Sequence, residues 1–211
     1  MSPFARLVRR DLARAVAHGG AWLPLIFYLL VATLFPFAIG PDAALLGKVG
    51  SGALWTAALL AALLPVERLV RPDIASGVLD QLVIRGHSDE NVAAAKLAAH
   101  WLSFGPPLMV ATLPAAALLN LDGPTFTRLE IGLLLGTPGL AALGLAVAAL
   151  TAGLRAAGAL IGLVMLPLAV PLLIFGADAG TGALKLLAAT SLLFVAGAPF
   201  VAGPALRAGR S

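Results

Sequence analysis

AGALIGLVMLPLAVPLLIFG, residues 157–176, runs twenty positions without a charged side chain. As a helix, a stretch of that length and character reaches across the hydrocarbon core of a bilayer. A soluble fold would have to surround such a helix with a charged surface, and this chain has too little charge to build one. Of its 211 residues 60% are hydrophobic and 11% charged, against roughly half and a quarter in soluble domains. Lipid accepts an apolar exterior that water would not, and the mean hydropathy of +1.00 points the same way. The expected fold class is all-α and polytopic, and the chain is not expected to act as a self-contained enzyme.

Five further apolar runs lie at about 21–40, 51–66, 97–119, 131–154 and 184–206, which makes six expected spans in one transmembrane domain. The second is short for a crossing and extends to full length only if Glu67 and Arg68 lie at its interfacial end. The first begins about twenty residues in, and its length suits a span rather than the core of a cleavable signal. Lys and Arg set the orientation. Eleven of the fourteen fall in the N-terminal stretch, the 67–96 link, the connection at Arg155 and the C-terminal tail; only Lys48, Arg128 and Lys185 fall in the alternate connections. Both termini are therefore expected on the cytoplasmic side. Trp22, Trp55 and Trp101 lie near segment ends, where interfacial rings are expected. Pro106, Pro107, Pro114, Pro138, Pro167, Pro171 and Pro199 fall inside spans as shape adjustments of a packed bundle. Gly132/Gly136 and Gly158/Gly162 have the spacing that lets helices approach closely.

Two polar stretches carry the functional candidates. In residues 1–20 Ser2 can cap a helix opened by Pro3. Phe4, Leu7, Val8, Leu12 and Ala15 then share one face and Arg6, Arg9, Arg10 and Arg14 the other, the pattern of a basic interfacial helix on anionic lipid. In the 67–96 link, Pro72 can start a helix on which Ile74, Val78 and Leu82, with Ala75 and Leu79, form an apolar stripe. Asp73, Gly77, Asp80 and Gln81 fall opposite. Such a helix fits a groove on a soluble partner, and by periodicity alone it fits a connector resting on the membrane equally well. Gly86, His87 and Ser88 break the pattern, and Ser88 or Asp89 can cap the next helix. No phosphate-binding loop or metal-ligand spacing is present in the sequence, cysteine is absent, and His18, His87 and His100 are far apart. No catalytic, metal or cofactor-binding residue is assigned. His100, near the start of the third span, is read as an interfacial or hydrogen-bonded histidine before a haem ligand. Nearly every charge, Glu130 and Arg155 included, lies at a span edge, which argues against proton coupling within this chain alone.

Several strings in order resemble the haem exporter protein B family. They are Phe35-Pro36-Phe37-Ala38-Ile39-Gly40-Pro41, Val66-Glu67-Arg68-Leu69, Leu79-Asp80-Gln81-Leu82, Ala95-Lys96-Leu97-Ala98-Ala99-His100-Trp101, Leu133 to Pro138 and Leu166 to Phe175. The resemblance implies an ABC-2 exporter-type permease whose ATP is bound by a separate cytoplasmic ABC ATPase. It also implies a haem-handling membrane subunit with a tryptophan-rich segment, a small single-span subunit, a periplasmic haem chaperone and two copies of this chain per complex. Haem is then the handled or transported ligand, membrane lipid the surroundings, and nucleic acid no partner. Carried over by position, the coupling segment that docks on the ATPase comprises Glu67, Arg68, Asp73, Ile74, Gly77, Val78, Leu79, Asp80 and Gln81. Replacing Val78 and Leu79 with Asp is expected to uncouple the ATPase without unfolding the spans. Pro72 stands where an acidic residue is expected, and the Gly176 to Gly182 connection is short. Two other readings stay open: an ABC-2 permease for a lipid or drug, and a structural membrane anchor. An intramembrane enzyme would need a polar constellation that the spans lack.

Overall fold

A computed structural model describes residues 2–17, 19–40, 42–154, 157–178 and 180–210. His18, Pro41 and Arg155, used in the sequence reading, lie outside the described residues. The helices are α1 (Pro3–Ala17), α2 (Trp22–Ile39), α3 (Ala43–Leu63), α4 (Arg71–Ala75), α5 (Val78–Ile84), α6 (Asp89–Leu118), α7 (Gly123–Thr151), α8 (Ala157–Ala177) and α9 (Thr181–Ala208), with a 3-10 turn at Val66–Arg68. Among the described residues six helical stretches are long and apolar enough to cross a membrane: α2, the stretch Ala43–Ala75 that opens with α3, α6, α7, α8 and α9. The chain is an all-helical, polytopic membrane protein.

Helix ends explain where these lengths depart from the apolar runs. The second candidate span runs on past Glu67 and Arg68 to Ala75, and it also begins earlier than the apolar run, because the Asp42 carboxylate accepts the amides of Ala44 and Leu45, each at 3.0 Å. That cap draws Gly47, Lys48, Gly50 and Ser51 into α3, which reaches 21 residues and stops before Pro65. Asp122 likewise caps α7 through the Thr125 amide at 2.9 Å, with Pro124 in the first turn, and extends the helix eight residues before Ile131. Ser88 caps α6 through the Asn91 amide at 3.2 Å. The last eight residues of the expected 67–96 link are therefore the opening turns of α6. Polar residues in these turns hide them from an apolarity count while leaving the backbone helical.

α7 is the hub, packed against α9, α8 and α6, while α2 lies outermost against α3 and α6. Trp55 is a correction to the sequence expectation. Its ring is fully buried within α3 rather than interfacial, in a cradle of glycines from two other helices. A Cβ on Gly136 would lie 2.5 Å from Trp55 Cη2, and one on Gly176 closer still to the ring. The Gly132/Gly136 pair thus makes room chiefly for an indole, and at Gly132 also for the backbone of Gly176. Trp101 is half-buried in the interior of α6 and donates its indole N–H to Thr137 Oγ1 at 3.0 Å, joining α6 to α7. Trp22, at the start of α2, is 57% exposed, as its terminal position suggests.

Candidate docking platform and charge clusters

Proline and glycine shape the segment after α3. Pro72 opens α4, and Gly77, at φ +67°, sets the left-handed break between α4 and α5. Gly86, at φ +82°, ends α5 with its amide on Val83 O at 2.8 Å, and the His87 amide returns to Leu82 O at 3.1 Å. The single helix expected after Pro72 is thus two short ones. The apolar stripe does exist, but the chain's own bundle covers most of it: Leu79 and Leu82 are buried and Ile74 and Val78 half-buried, while Ala75 is exposed. Outward lie Asp80, Gln81, Val83, Ile84 and Arg85. Ile84 is 85% exposed at the tip, an apolar side chain that the sequence reading passed over. Glu67 and Arg68 are exposed on the flank. Glu67 pairs with Arg71 at 2.5 Å, and a Cβ on Gly158 would come 3.2 Å from Glu67 Oε2. Gly158 therefore faces the link, and Gly162 opens onto empty space.

Asp73 is turned the other way from its expected outer face. Its carboxylate, 2% exposed, receives Lys96 of α6 and Arg14 of α1, with Arg10 at 3.0 Å. Lys96, itself 5% exposed, also bonds Leu69 O at 3.1 Å and lies 3.4 Å from Asp11 Oδ2. Arg10 Nε donates to Asp11 at 2.7 Å. A buried charge is tolerated only with partners that complete its hydrogen bonds, and here three cations converge on one carboxylate. The hydrogen bond to Asp73 holds the Arg14 guanidinium above its ordinary pKa. The expected four-arginine face of α1 is consequently divided: Arg6 and Arg9 are exposed, whereas Arg10 and Arg14 turn toward α4. Leu7 is buried, with α1 laid along α6.

A second cluster closes the other side. Arg210 holds Asp89 at 2.7 and 3.0 Å and reaches Asp80 at 3.7 Å, while Arg207 Nε donates to Asp89 at 3.1 Å. Together the clusters bring the N-terminal helix, the 66–90 segment and the C-terminal turn to one end of the bundle. Asp11, Asp89 and Arg210 carry no sequence signal of this role, because the contacts that join the elements, Lys96 to Asp11 and Arg210 to Asp89, span 85 and 121 residues.

Between α1, residues 65–73 and α6 lies a cavity of about 550 Å³. Arg14, Arg68, Lys96, His100 and Ser103 are among its lining residues. His100 is 3% exposed and neither of its ring nitrogens has a hydrogen-bond partner among the described residues; its ring packs 4.9 Å from that of Phe104. The hydrogen bond that the sequence reading offered it is thus not made among those residues, and Gly144 makes the space for the ring.

Residues 2–209 match the CcmB protein family. The chain is 44% identical to heme exporter protein B of Paracoccus denitrificans and 43% identical to that of Rhodobacter capsulatus, each comparison covering 95% of this chain and 97% of the relative. It is 42% identical to heme exporter protein B of Haemophilus influenzae over 97% of both chains. Since the match takes in every helix from α1 to α9, the chain belongs to the CcmB protein family.

Proposed function

We propose that this chain is the membrane permease subunit of an ATP-driven haem exporter serving cytochrome c maturation. The full-length likeness to relatives named heme exporter protein B carries the reading. The chain is a non-catalytic subunit: it lacks a phosphate loop, so a cytoplasmic ATPase supplies hydrolysis. Docking falls on the α5 tip, where Asp80, Gln81, Val83, Ile84 and Arg85 stand clear of the bundle. The ATPase biases the spans only through its differential affinity for their two arrangements. The platform faces the cytoplasm of an inner membrane, with both termini beside it, as the Lys and Arg distribution favours. Haem is the cargo, either moved across the membrane or released on a periplasmic chaperone. The tryptophan-rich haem-handling subunit, the single-span subunit and a second copy of this chain complete the assembly.

Purification of the tagged complex in mild detergent tests this. The wild-type chain should bring an ATP-hydrolysing subunit with it and support ATP-dependent release of haem-loaded chaperone. Ile84→Asp should lose the ATPase. A wild-type preparation that carries no ATPase, or that delivers haem equally well with a hydrolysis-dead one, overturns the proposal.

A further inference from the structure

The 66–90 segment is gripped by both ends of the chain. On one side α1 reaches it through the Arg10 and Arg14 pairs with Asp73, a carboxylate that also takes the buried Lys96 of α6. On the other, the C-terminal turn lies over it. Arg210, 12% exposed, bridges Asp89 and Asp80 and donates to Leu79 O at 3.5 Å. A Cβ on Gly209 would come 3.0 Å from Ile74 Cδ1. Separating the C-terminal grip would leave the buried Asp89 without Arg207 and Arg210, and separating α1 would leave Asp73 with Lys96 alone. Gly77, in contrast, joins α4 to α5 with no neighbour within 4 Å of a Cβ built on it. Left to the backbone alone, α5 could swing about that residue.

We infer that Asp73 and Arg210 are positioning residues that lock α4 and α5 to α1, to the first turns of α6 and to the end of α9. A push at the α5 tip then arrives at α6 and α9 as movement of one body, instead of being absorbed at Gly77. This rests on the docking reading above.

The chain contains no cysteine, so an Ile74→Cys/Gly209→Cys protein can be joined by a short bis-maleimide within the assembled complex in vesicles. If the turn and α4 travel together, ATP-driven haem release after joining stays within about twofold of the same protein unjoined. A loss of tenfold or more on joining means they must part, and overturns the inference. As a second measurement, Asp73→Asn and Arg210→Met should retain the ATPase on purification, while ATP consumed per haem released rises about tenfold. Asp73→Glu should recover most of the coupling, which a generally destabilised bundle would not. An unchanged ATP-to-haem ratio in both variants also overturns the inference. Failure of the wild-type chain to retain the ATPase sinks the docking reading instead, so the two failures are distinct.

Discussion

At Gly136 the nearest obstacle to a methyl group is the six-membered edge of Trp55, a rigid ring with glycine on more than one side. Gly136→Ala should destabilise the bundle by about 1–3 kcal/mol, the range for forcing extra volume into a packed core. Gly162→Ala, which meets nothing within 4 Å, should stay within about 0.5 kcal/mol of wild type. Thermal denaturation in detergent checks both, and equal midpoints for the two variants would contradict the cradle. Lys96 offers a second case. Lys96→Met leaves the Asp73 carboxylate buried with only Arg10 and Arg14, at a cost toward the lower end of the roughly 3–5 kcal/mol for breaking a buried pair. The same denaturation measurement applies. Neither role was legible beforehand. A glycine in a small-residue spacing says that something approaches closely, without saying what. A lysine at the edge of an apolar run reads as an orientation signal until the carboxylate 23 positions away is known to face it.

Among the elements, α5 carries the sharpest test. The stripe shared by α4 and α5 was legible from the spacing of Ile74, Val78 and Leu82, because three- and four-residue periodicity requires one side to be covered. What covers it was not, since periodicity is the same whether the cover is a partner or the chain's own bundle. Leu79, 1% exposed, belongs to the covered side. Leu79→Asp should therefore damage folding, placing an unpartnered carboxylate where about 2 kcal/mol or more is lost, and it cannot serve as a clean probe of docking. Ile84→Asp should leave the thermal midpoint unchanged and lose only the ATPase. Similar melting of the two variants would show that the inward and outward faces are misassigned. The division of the 67–96 link into two short helices was also hidden. Ser76 and Gly77 read as tolerable helix residues, and only the positive φ at Gly77 marks the break.

For the molecule as a whole, the apolar runs already fixed the number of crossings, and the clustering of cations already grouped the connections. The structure adds that these connections are bonded to one another: Asp73 reaches the N-terminal helix and Asp80 and Asp89 reach the C-terminal turn. Cysteines placed at Ile84 and Thr127, both exposed, report on the two ends. In spheroplasts a membrane-impermeant maleimide should label Thr127→Cys at once and Ile84→Cys only after permeabilisation. The reverse pattern would invert the orientation. Helix caps at Asp42 and Asp122 shorten the connections at the far end, so that face of the molecule offers little beyond turns.

The sealed environment of Trp55 also gives the chain a built-in optical gauge. Trp22 lies at the edge of the bundle, open to quenchers dissolved in water or carried on lipid, whereas Trp55 is shielded from both. Once Trp22 and Trp101 are replaced by Phe, the remaining luminescence should be short in wavelength and resistant to acrylamide. In the purified chain alone, any rearrangement that draws α7 or α8 away from α3 would then announce itself as a red shift from a single known ring.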